Sequence, residues 1–388
     1  MITITNKEEC CGCCACVQAC PKECIIATVD NEGFLYPEID LQKCVNCGIC
    51  ENVCPIICKQ DELKIMPDCL VAYAKDDTVR KNSSSGGLFW TIASDILKYA
   101  GVVYGAAFDQ DFLVHHVRIS SIEELKKIQG SKYLQSRIER TFEECKADLE
   151  KNKIVLFSGT PCQIAGLKKF LQKEYTTLYT VDILCHGVPS PLIWSMYLHD
   201  LKGKRKIKRI NFRSKTYGWN NYALKIEYTN GSTKESLAQT NRYMRMFLEN
   251  ICLRPSCHAC RFKSLNRCAD ITLGDCWRIN KSMPGFDENK GTSIILVHSS
   301  KGQELVNRIQ EQIIYNIGEI DTLLPESSDS RKVVVANPRR EEFFDKINSG
   351  VKISRACKLV NVPLLLKFKS IKCKFFILKK DNFFKLLL

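Results

Sequence analysis

The chain lacks several features that would assign it to a membrane or to the outside of the cell. No stretch approaches 18 uncharged apolar residues, which is the length that a membrane-spanning helix requires. The opening sequence, MITITNKEEC, contains no apolar core of the kind found in export signals. There is also no G-x-G-x-x-G sequence, so a Rossmann dinucleotide site is not indicated. We therefore expect a cytoplasmic protein.

Outside the C-terminal tail the chain has little net excess of positive charge. The formal net charge is +14, but residues 351–388 contain ten Lys and Arg against one Asp and so supply +9 of it. The excess left on residues 1–350 is small for a chain of this length, whereas a nucleic-acid-binding surface requires a strongly basic patch. We expect no nucleic-acid partner.

The basic tail, residues 351–388, has an amphipathic pattern. Apolar side chains recur at spacings of four and three, which is typical of a helix, and lysines surround them: the apolar residues are Leu364, Phe368, Ile371, Phe375 and Leu378. Two interpretations remain open. Either this stripe attaches the protein peripherally to an anionic membrane surface, or it packs against the protein body.

Twenty-three cysteines are a large number for a chain of 388 residues. In a small secreted protein they would indicate disulfides, but this chain is large and we expect it to stay in the cytosol. Thiols remain reduced there, and reduced thiols at short fixed spacing bind metal. The cysteines therefore favour metal sites.

Two cysteine motifs near the start have the spacing C-x2-C-x2-C-x3-C-P, which is the bacterial two-cluster ferredoxin pattern. They comprise Cys10, Cys13, Cys16 and Cys20, and then Cys44, Cys47, Cys50 and Cys54. In this pattern the fourth cysteine of each motif binds the other cluster. We expect one [4Fe–4S] cluster on Cys10, Cys13, Cys16 and Cys54, and a second on Cys44, Cys47, Cys50 and Cys20.

Alternatives to this assignment are weaker. Zinc ribbons use two well-separated C-x2-C pairs, whereas each motif here compresses four cysteines into eleven residues. Cys11 and Cys14 would permit a slipped register of the first motif. Otherwise these two and Cys24 are expected to be free thiols or small buried residues.

Beyond a linker at 59–68, predicted strands alternate with predicted helices. A helix is expected over 87–101, a strand over 102–108, and a strand, turn and helix over 153–173. Such alternation indicates α/β layers. The segment 205–235 instead alternates like antiparallel strands, with Asn230-Gly231 as a hairpin turn. A cysteine-rich loop is expected at 252–276, followed by a strand over 291–299.

Four later cysteines form a possible third site. Cys162 and Cys185 follow predicted strands, where α/β folds place their sites, and Cys257 and Cys260 form a C-x2-C pair. The residues alone allow a third [4Fe–4S] cluster or a structural zinc ion, and a catalytic pair of Cys162 with His186 is a third reading. Three neighbouring cysteines could replace a ligand: Cys252, Cys268 and Cys276.

Several motifs of the larger region together resemble one protein family. SSSGG (83–87), GSKYLQS (130–136), SGTPCQIAGL, DILCHGVPSP and CRFKSLNRCADITLGDCW (260–277) are similar to the beta subunit of coenzyme F-420-reducing hydrogenases and dehydrogenases. The resemblance covers roughly residues 70–320. It implies FAD beside a [4Fe–4S] cluster and makes Cys162, Cys185, Cys257 and Cys260 the cluster ligands. Cys276 lies where such proteins often have an aromatic residue.

The resemblance also implies where FAD would bind, namely against the loops SSSGG, GSKY and LGDCW. Backbone N–H groups at the start of a predicted helix suit a phosphate, a lysine adds positive charge, and glycine permits close approach of a flat ring. Taken singly, each loop is equally an ordinary turn. The candidate flavin-binding residues are Ser85, Gly86, Gly87, Ser131, Lys132, Tyr133, Gly274 and Asp275.

We therefore predict an α+β chain in which a small two-cluster ferredoxin domain (1–60) precedes a larger α/β flavin and iron–sulfur domain. The two parts of the larger domain are expected at 70–200 and 201–320, followed by the tail. The predicted function is an oxidoreductase that exchanges electrons with a carrier protein or reduced cofactor and with an unidentified small molecule. The alternative is an electron-transfer subunit with no substrate of its own.

Overall fold

The computed structural model describes residues 1–58, 66–203 and 205–360, and for Lys202 the backbone alone. The linker sequence at 59–65 and the amphipathic stripe at 364–378 lie outside the described residues. Within the described part of the chain, no helix is long and apolar enough to cross a membrane.

Helices and strands alternate along most of the chain. The strands are β1 (Ile25–Val29), β2 (Leu35–Ile39), β3 (Asp68–Ala74), β4 (Val102–Phe108), β5 (Val114–Ile119), β6 (Val155–Ser158), β7 (Leu178–Ile183), β8 (Ile207–Ser214), β9 (Ala223–Tyr228), β10 (Thr233–Leu237), β11 (Ile271–Asp275), β12 (Ser293–Val297) and β13 (Ile313–Ile317). The helices are α1 (Ala15–Gln18), α2 (Ile49–Asn52), α3 (Asp77–Asn82), α4 (Leu88–Lys98), α5 (Leu125–Ile128), α6 (Thr141–Glu150), α7 (Pro161–Leu171), α8 (Pro191–Lys202), α9 (Arg242–Leu248), α10 (Ile279–Ser282), α11 (Ser300–Ile309), α12 (Ile320–Leu323), α13 (Arg340–Asn348) and α14 (Ile353–Ala356).

The chain divides into two compact units whose boundaries differ from the domains expected from sequence. The first unit comprises Met1–Leu192 and Leu253–Val335, and the second comprises Ile193–Cys252 and Ala336–Leu388. The ferredoxin-like region therefore belongs to the same unit as the large sheet. The cysteine-rich segment after Leu253 also belongs to that unit.

An eight-stranded mixed sheet organises the first unit, in the order β13-β3-β12-β11-β7-β6-β4-β5. Strands β11, β7, β6 and β4 are parallel neighbours, and β3 runs in the same direction because both it and β11 pair antiparallel with β12. The central strands are buried and rich in Val, Ile and Leu, as parallel strands covered on both faces must be. The carboxyl ends of five strands therefore meet at one edge of the sheet.

The ferredoxin-like region packs directly onto this α/β layer. A hairpin of β1 and β2 separates the two cysteine motifs, with Ile25 paired to Ile39. The side-chain oxygen of Gln18 accepts hydrogen bonds from the N–H groups of Phe142 and Glu143, at 3.1 and 3.3 Å, and so caps the start of α6. The cysteine region is therefore packed against the α/β layer.

The second unit contains a three-stranded antiparallel sheet in the order β10-β9-β8. The expected hairpin turn is present, since Asn230-Gly231 connects β9 to β10 and Gly231 has a φ of +82°. Packed aromatic rings form its core, including the edge-to-face pair of Trp194 and Tyr243 at 4.6 Å between ring centroids.

Predicted elements agree with the structure except near residue 271. The strand expected at 102–108 is β4 itself, and the helix expected at 87–101 is α4. The segment 252–276 was expected to be a loop throughout, but Ile271–Asp275 forms β11, a central strand. Its apolar run is only ITL, so its strand character comes from pairing with β7 and β12 rather than from local pattern.

Candidate iron–sulfur and flavin sites

The first predicted cysteine quartet lies around one pocket of about 410 Å³. Cys10, Cys13, Cys16 and Cys54 all line it, together with Cys11 and Cys14. Burial raises the pKa of the Cys16 and Cys54 thiols, and metal coordination is the ordinary way in which buried thiols become thiolates. The pocket's donor set suits a metal–sulfur cluster.

Backbone angles favour the unslipped register of the first motif. In the first loop Gly12 and Cys14 have positive φ values of 69° and 57°, and in the second loop Asn46 and Gly48 have 54° and 74°. Each pair flanks the second cysteine of its motif. Cys13 therefore corresponds to Cys47 by backbone conformation as well as by spacing. Cys14 takes the left-handed position that glycine holds in the second motif, which non-glycine residues adopt infrequently.

The second quartet lines a separate pocket of about 350 Å³, formed by Cys20, Cys44, Cys47 and Cys50. Cys47 is exposed, whereas every member of the first quartet is at least half-buried. Cys24 also lines this pocket, with its sulfur 3.3 Å from that of Cys20. Sequence spacing alone indicated an unrelated thiol at Cys24, because its position does not fit the motif.

The third quartet, Cys162, Cys185, Cys257 and Cys260, lines a pocket of about 600 Å³. Cys162 lies in the first turn of α7, immediately after β6, and Cys185 follows β7. Cys257 lies in the short 3-10 helix Pro255–Ala259, and its sulfur accepts a hydrogen bond from the Val188 N–H at 3.4 Å. The carboxyl ends of two adjacent parallel strands thus bring these cysteines together.

The three cysteines considered as replacement ligands do not line the third pocket. Cys252 is buried in the second unit, Cys268 packs against the core beneath the ferredoxin region, and Cys276 is buried behind β11. His186 lines the third pocket, as Cys162 does.

Cys11 occupies a position between two cysteine sites that the sequence did not predict. It lines both the first and the third pockets. Interaction with the Cys13 thiol raises the pKa of Cys11, and interaction with the Cys11 thiol raises the pKa of Cys162. One side chain thus connects a ligand candidate of the first quartet with one of the third.

The described residues contain no group of three or more His, Cys, Asp or Glu side chains close enough to hold a single metal ion. Cysteines that bind a cubane stand at separate corners of a cluster rather than around one ion.

The three loops expected to bind FAD meet at the same edge of the sheet. The Ser131 N–H donates to Ser84 Oγ at 2.7 Å, the Ser85 hydroxyl donates to the Thr292 carbonyl at 2.8 Å, and Thr292 precedes β12, the neighbour of β11. The loops also approach the third pocket, because Leu184 packs against Gly274 and precedes Cys185. The sequence-predicted flavin residues are therefore brought together.

Two glycines in these loops have packing roles different from those expected. The Gly86 N–H donates to Ser293 Oγ at 3.0 Å, and a Cβ on Gly86 would lie 2.5 Å from the Ala72 carbonyl. A Cβ on Gly274 would lie 2.4 Å from Leu184 Cδ1. Both glycines are required by the protein's own packing, so their presence alone does not argue for a bound ring.

Lys132 provides the positive charge at this edge. Its amine donates to the carbonyls of Gln129 and Gly130, at 3.3 and 3.1 Å, and neither partner is charged. Burial lowers the pKa of Lys132 to about 7. A phosphate would supply the negative charge that this amine lacks, so the residue fits an anionic cofactor group.

His116 is a buried histidine whose two ring nitrogens both have partners within the protein. Its Nε2 bonds to the Ser158 carbonyl at 2.9 Å, and its Nδ1 to Ser136 Oγ at 2.7 Å. Since a carbonyl only accepts, Nε2 carries a proton. Burial accordingly lowers the pKa of His116 to about 4.

Residues 152–322 match the family model for the C terminus of the beta subunit of coenzyme F420 hydrogenase/dehydrogenase, and residues 35–56 match the 4Fe-4S binding domain. Residues 152–322 thus carry the C-terminal domain of the coenzyme F420 hydrogenase/dehydrogenase beta subunit family, and a ferredoxin-type region precedes it. The matched segment contains all four cysteines of the third quartet. The earlier resemblance is therefore confirmed at the level of the family.

Individual relatives agree with this family. The coenzyme F420-dependent sulfite reductase of Methanocaldococcus jannaschii is 26% identical over 329 residues, covering 82% of this chain and 49% of that protein. A pyruvate synthase subunit of Thermotoga maritima is 38% identical over 55 residues, covering 14% of this chain and 52% of that protein. The chain thus spans about half the length of these relatives. The matches indicate a [4Fe–4S] electron-transfer protein of the oxidoreductase type.

Among solved structures, a chain of the F420-reducing [NiFe] hydrogenase complex from Methanosarcina barkeri aligns with a TM-score of 0.48 and 17% identity. The alignment covers 75% of this chain and 93% of that one.

Proposed function

We propose that this protein is an iron–sulfur flavoprotein oxidoreductase with three [4Fe–4S] sites in series and FAD beside the third. The observation that supports it most is that each of the three predicted quartets surrounds a single pocket. The clusters supply one-electron transfer, and FAD would supply the exchange between single electrons and a two-electron substrate. The protein's own residues fix the order of these sites.

The order of sites follows from exposure and from shared residues. The second quartet faces solvent through Cys47, so it is where a carrier protein would exchange electrons. The first quartet shares Cys11 with the third pocket. Helix α7 also joins these two sites: Cys162 lies one turn before Gly166, whose Cα faces Cys13, and four residues of helix advance only about 6 Å. The path runs from second to first to third quartet, in either direction.

Iron analysis of anaerobically purified protein tests the three sites. Three filled sites correspond to about twelve iron and twelve labile sulfide per chain. Cys257→Ser should lose about four of the twelve, because one quartet loses a ligand, and should leave the ferredoxin sites intact. Cys145→Ser is the matched control, a buried cysteine in α6 that should keep all its iron. About eight iron with one zinc in the parent protein would contradict the third cluster.

The flavin site is tested through Lys132. The proposal is that its amine contacts a phosphate of FAD, with Ser85, Gly86, Gly87, Ser131, Tyr133, Gly274 and Asp275 forming the surrounding loops. Because the pKa of Lys132 is about 7 in the free protein, the proton it needs is lost as pH rises. FAD affinity of the parent should therefore fall above pH 7, and Lys132→Met should bind FAD more weakly with a flat pH profile. Fluorescence titration at several pH values measures the FAD affinity of the parent and of the variant. Lys126→Met, which replaces an exposed lysine of α5, is the control.

The deazaflavin coenzyme F420 is the first substrate to screen, since it appears in the description of the matched family and in that of one relative. The alternative, an electron-transfer subunit without a substrate, is favoured by the exposed second quartet and by relatives that are themselves named as subunits. Turnover of F420 or another small molecule by the purified chain would exclude it. Electron uptake from a reduced ferredoxin with no substrate turnover would support it.

The tail is proposed to attach peripherally to an anionic membrane. Flotation of the full chain with anionic vesicles, compared with a chain ending at residue 350, tests this. Equal flotation would exclude the proposal and leave packing on the protein body.

A further inference from the structure

A single arginine joins the first and third cysteine quartets. Arg254 lies three residues before Cys257, and its carbonyl accepts a hydrogen bond from the Cys257 N–H at 2.9 Å. Its own N–H donates to the Val188 carbonyl at 3.0 Å. The backbone of Arg254 thus hydrogen-bonds to two residues that line the third pocket, Val188 and Cys257, while its side chain contacts the first ferredoxin loop.

The guanidinium of Arg254 is fully buried against the first ferredoxin loop. Nε donates to the Cys10 carbonyl at 2.7 Å, and one terminal nitrogen lies 3.6 Å from the Cys10 sulfur. That same nitrogen donates to the Leu35 carbonyl at 2.9 Å, and the other donates to Gln135 Oε1 at 3.0 Å. The ring of Tyr36 lies 4.2 Å from the guanidinium carbon. The side chain is therefore held rigidly at the ligand loop.

All of these partners are neutral groups or a cysteine sulfur. Within the described part of the chain, no carboxylate lies within ion-pair distance of Arg254, although a buried cation without a counter-charge is strongly unfavourable. The Cys10 sulfur, 3.6 Å from a terminal nitrogen, is a ligand candidate of the first site. A four-thiolate cluster would supply negative charge at this position.

The absence of a side chain at Gly12 leaves room for the contact between Arg254 and the first ferredoxin loop. A Cβ on Gly12 would lie 2.7 Å from a terminal nitrogen of Arg254 and 2.6 Å from Gln135 Nε2. The second motif has Asn46 at the equivalent position. The glycine between Cys10 and Cys13 therefore admits the arginine to the first loop.

We propose that Arg254 is a positioning residue that docks the first ferredoxin site against the third and raises the reduction potential of the first. This inference rests on the proposed function, because it assumes that Cys10 binds a cluster. The physical reason is that reduction adds negative charge beside a buried cation and an N–H···S contact, both of which stabilise the reduced state. An electron arriving at the exposed second site is thereby favoured to move inward.

Redox titration monitored by electron paramagnetic resonance tests the proposal on the holoprotein. Arg254→Met keeps the volume and removes the charge, so one cluster should become harder to reduce by about tenfold or more in its equilibrium, or about 59 mV per tenfold for one electron. Arg254→Lys restores the charge without the planar fork and should recover part of the shift. Arg118→Met, an arginine bound to Asp148, is the control and should shift no cluster.

Two results would overturn the inference: unchanged potentials in Arg254→Met at full iron content, or equal shifts in the Met and Lys variants. If Arg254→Met does not fold, Gln135→Glu takes its place. It adds a negative charge beside the guanidinium at constant size, so it should lower the same potential, and an unchanged value would count against the proposal. Iron and potentials of the parent protein are measured first. A parent without iron would refute the proposed function rather than the role of Arg254.

Discussion

Gly166 in α7 is the position where one added methyl group should separate the ferredoxin region from the sheet layer. A Cβ there would lie 2.8 Å from Cys13 Cβ and 2.9 Å from Cys13 Sγ, whereas ordinary contacts begin near 3.4 Å. Relief requires a shift of at least about half an ångström. Either α7, which carries Cys162, or the first cysteine loop must move.

The magnitude follows from two opposing effects. Overpacking a close contact costs about 1–3 kcal/mol. Replacing glycine by alanine inside a helix returns about 1 kcal/mol. The net loss in the free energy of unfolding for Gly166→Ala is therefore about 0–2 kcal/mol, which the fold should survive. The larger effect should fall on the Cys13 sulfur, because ligand geometry tolerates less displacement than overall stability does.

The assay is iron content with electron paramagnetic resonance of the reduced protein. Gly166→Ala should alter or lose the signal of one ferredoxin cluster and leave the cluster of Cys44, Cys47, Cys50 and Cys20 unchanged. Gly231→Ala is the control, a glycine with open space around it, and should leave every cluster signal unchanged. Parent-like iron, spectra and thermal stability in Gly166→Ala would refute the close packing of α7 on Cys13.

Three further outcomes are expected. In iron analysis Cys11→Ser should keep about twelve iron per chain, whereas Cys13→Ser should lose about four. Iron loss in Cys11→Ser with full iron in Cys13→Ser would instead establish the slipped register of the first motif. His116 has a pKa of about 4 in the folded protein, below its unfolded value, so the unfolded state binds more protons between pH 4 and 6.5. The free energy of unfolding therefore falls as pH drops through that window. Denaturant titrations of His116→Gln should show a weaker pH dependence of stability, and a pH dependence identical to that of the parent would contradict this. Gly274→Ala should destabilise the protein by about 1–3 kcal/mol through its contact with Leu184, even in FAD-free protein, and a loss confined to FAD binding would show that packing is not its role.

Sequence spacing was sufficient to group the cysteines of the two ferredoxin motifs, because the geometry of each motif is local. Three cysteines at x2 spacing occupy one loop, and the matching positive φ values at residues 12, 14, 46 and 48 show the same loop twice. Strand and helix positions from 87 to 183 were equally predictable, since their apolar periodicity extends over several turns or strand lengths. The assignment of Cys162, Cys185, Cys257 and Cys260 to one set rested on resemblance, because more than ninety residues separate the first from the last.

Tertiary structure alone decided how these local pieces meet. The sequence predicts a ferredoxin domain at 1–60 but not what it contacts, whereas in the structure Gln18 caps α6 and Arg254 reaches Cys10 from 244 positions away. No local pattern encodes such contacts, since they depend on which strand edges and helix ends become neighbours after folding. The same reason explains β11, whose short apolar run becomes a central strand only because β7 and β12 supply its hydrogen bonds. It also explains Cys11, whose residue type was visible in the sequence, whereas its place between two pockets is a property of the fold.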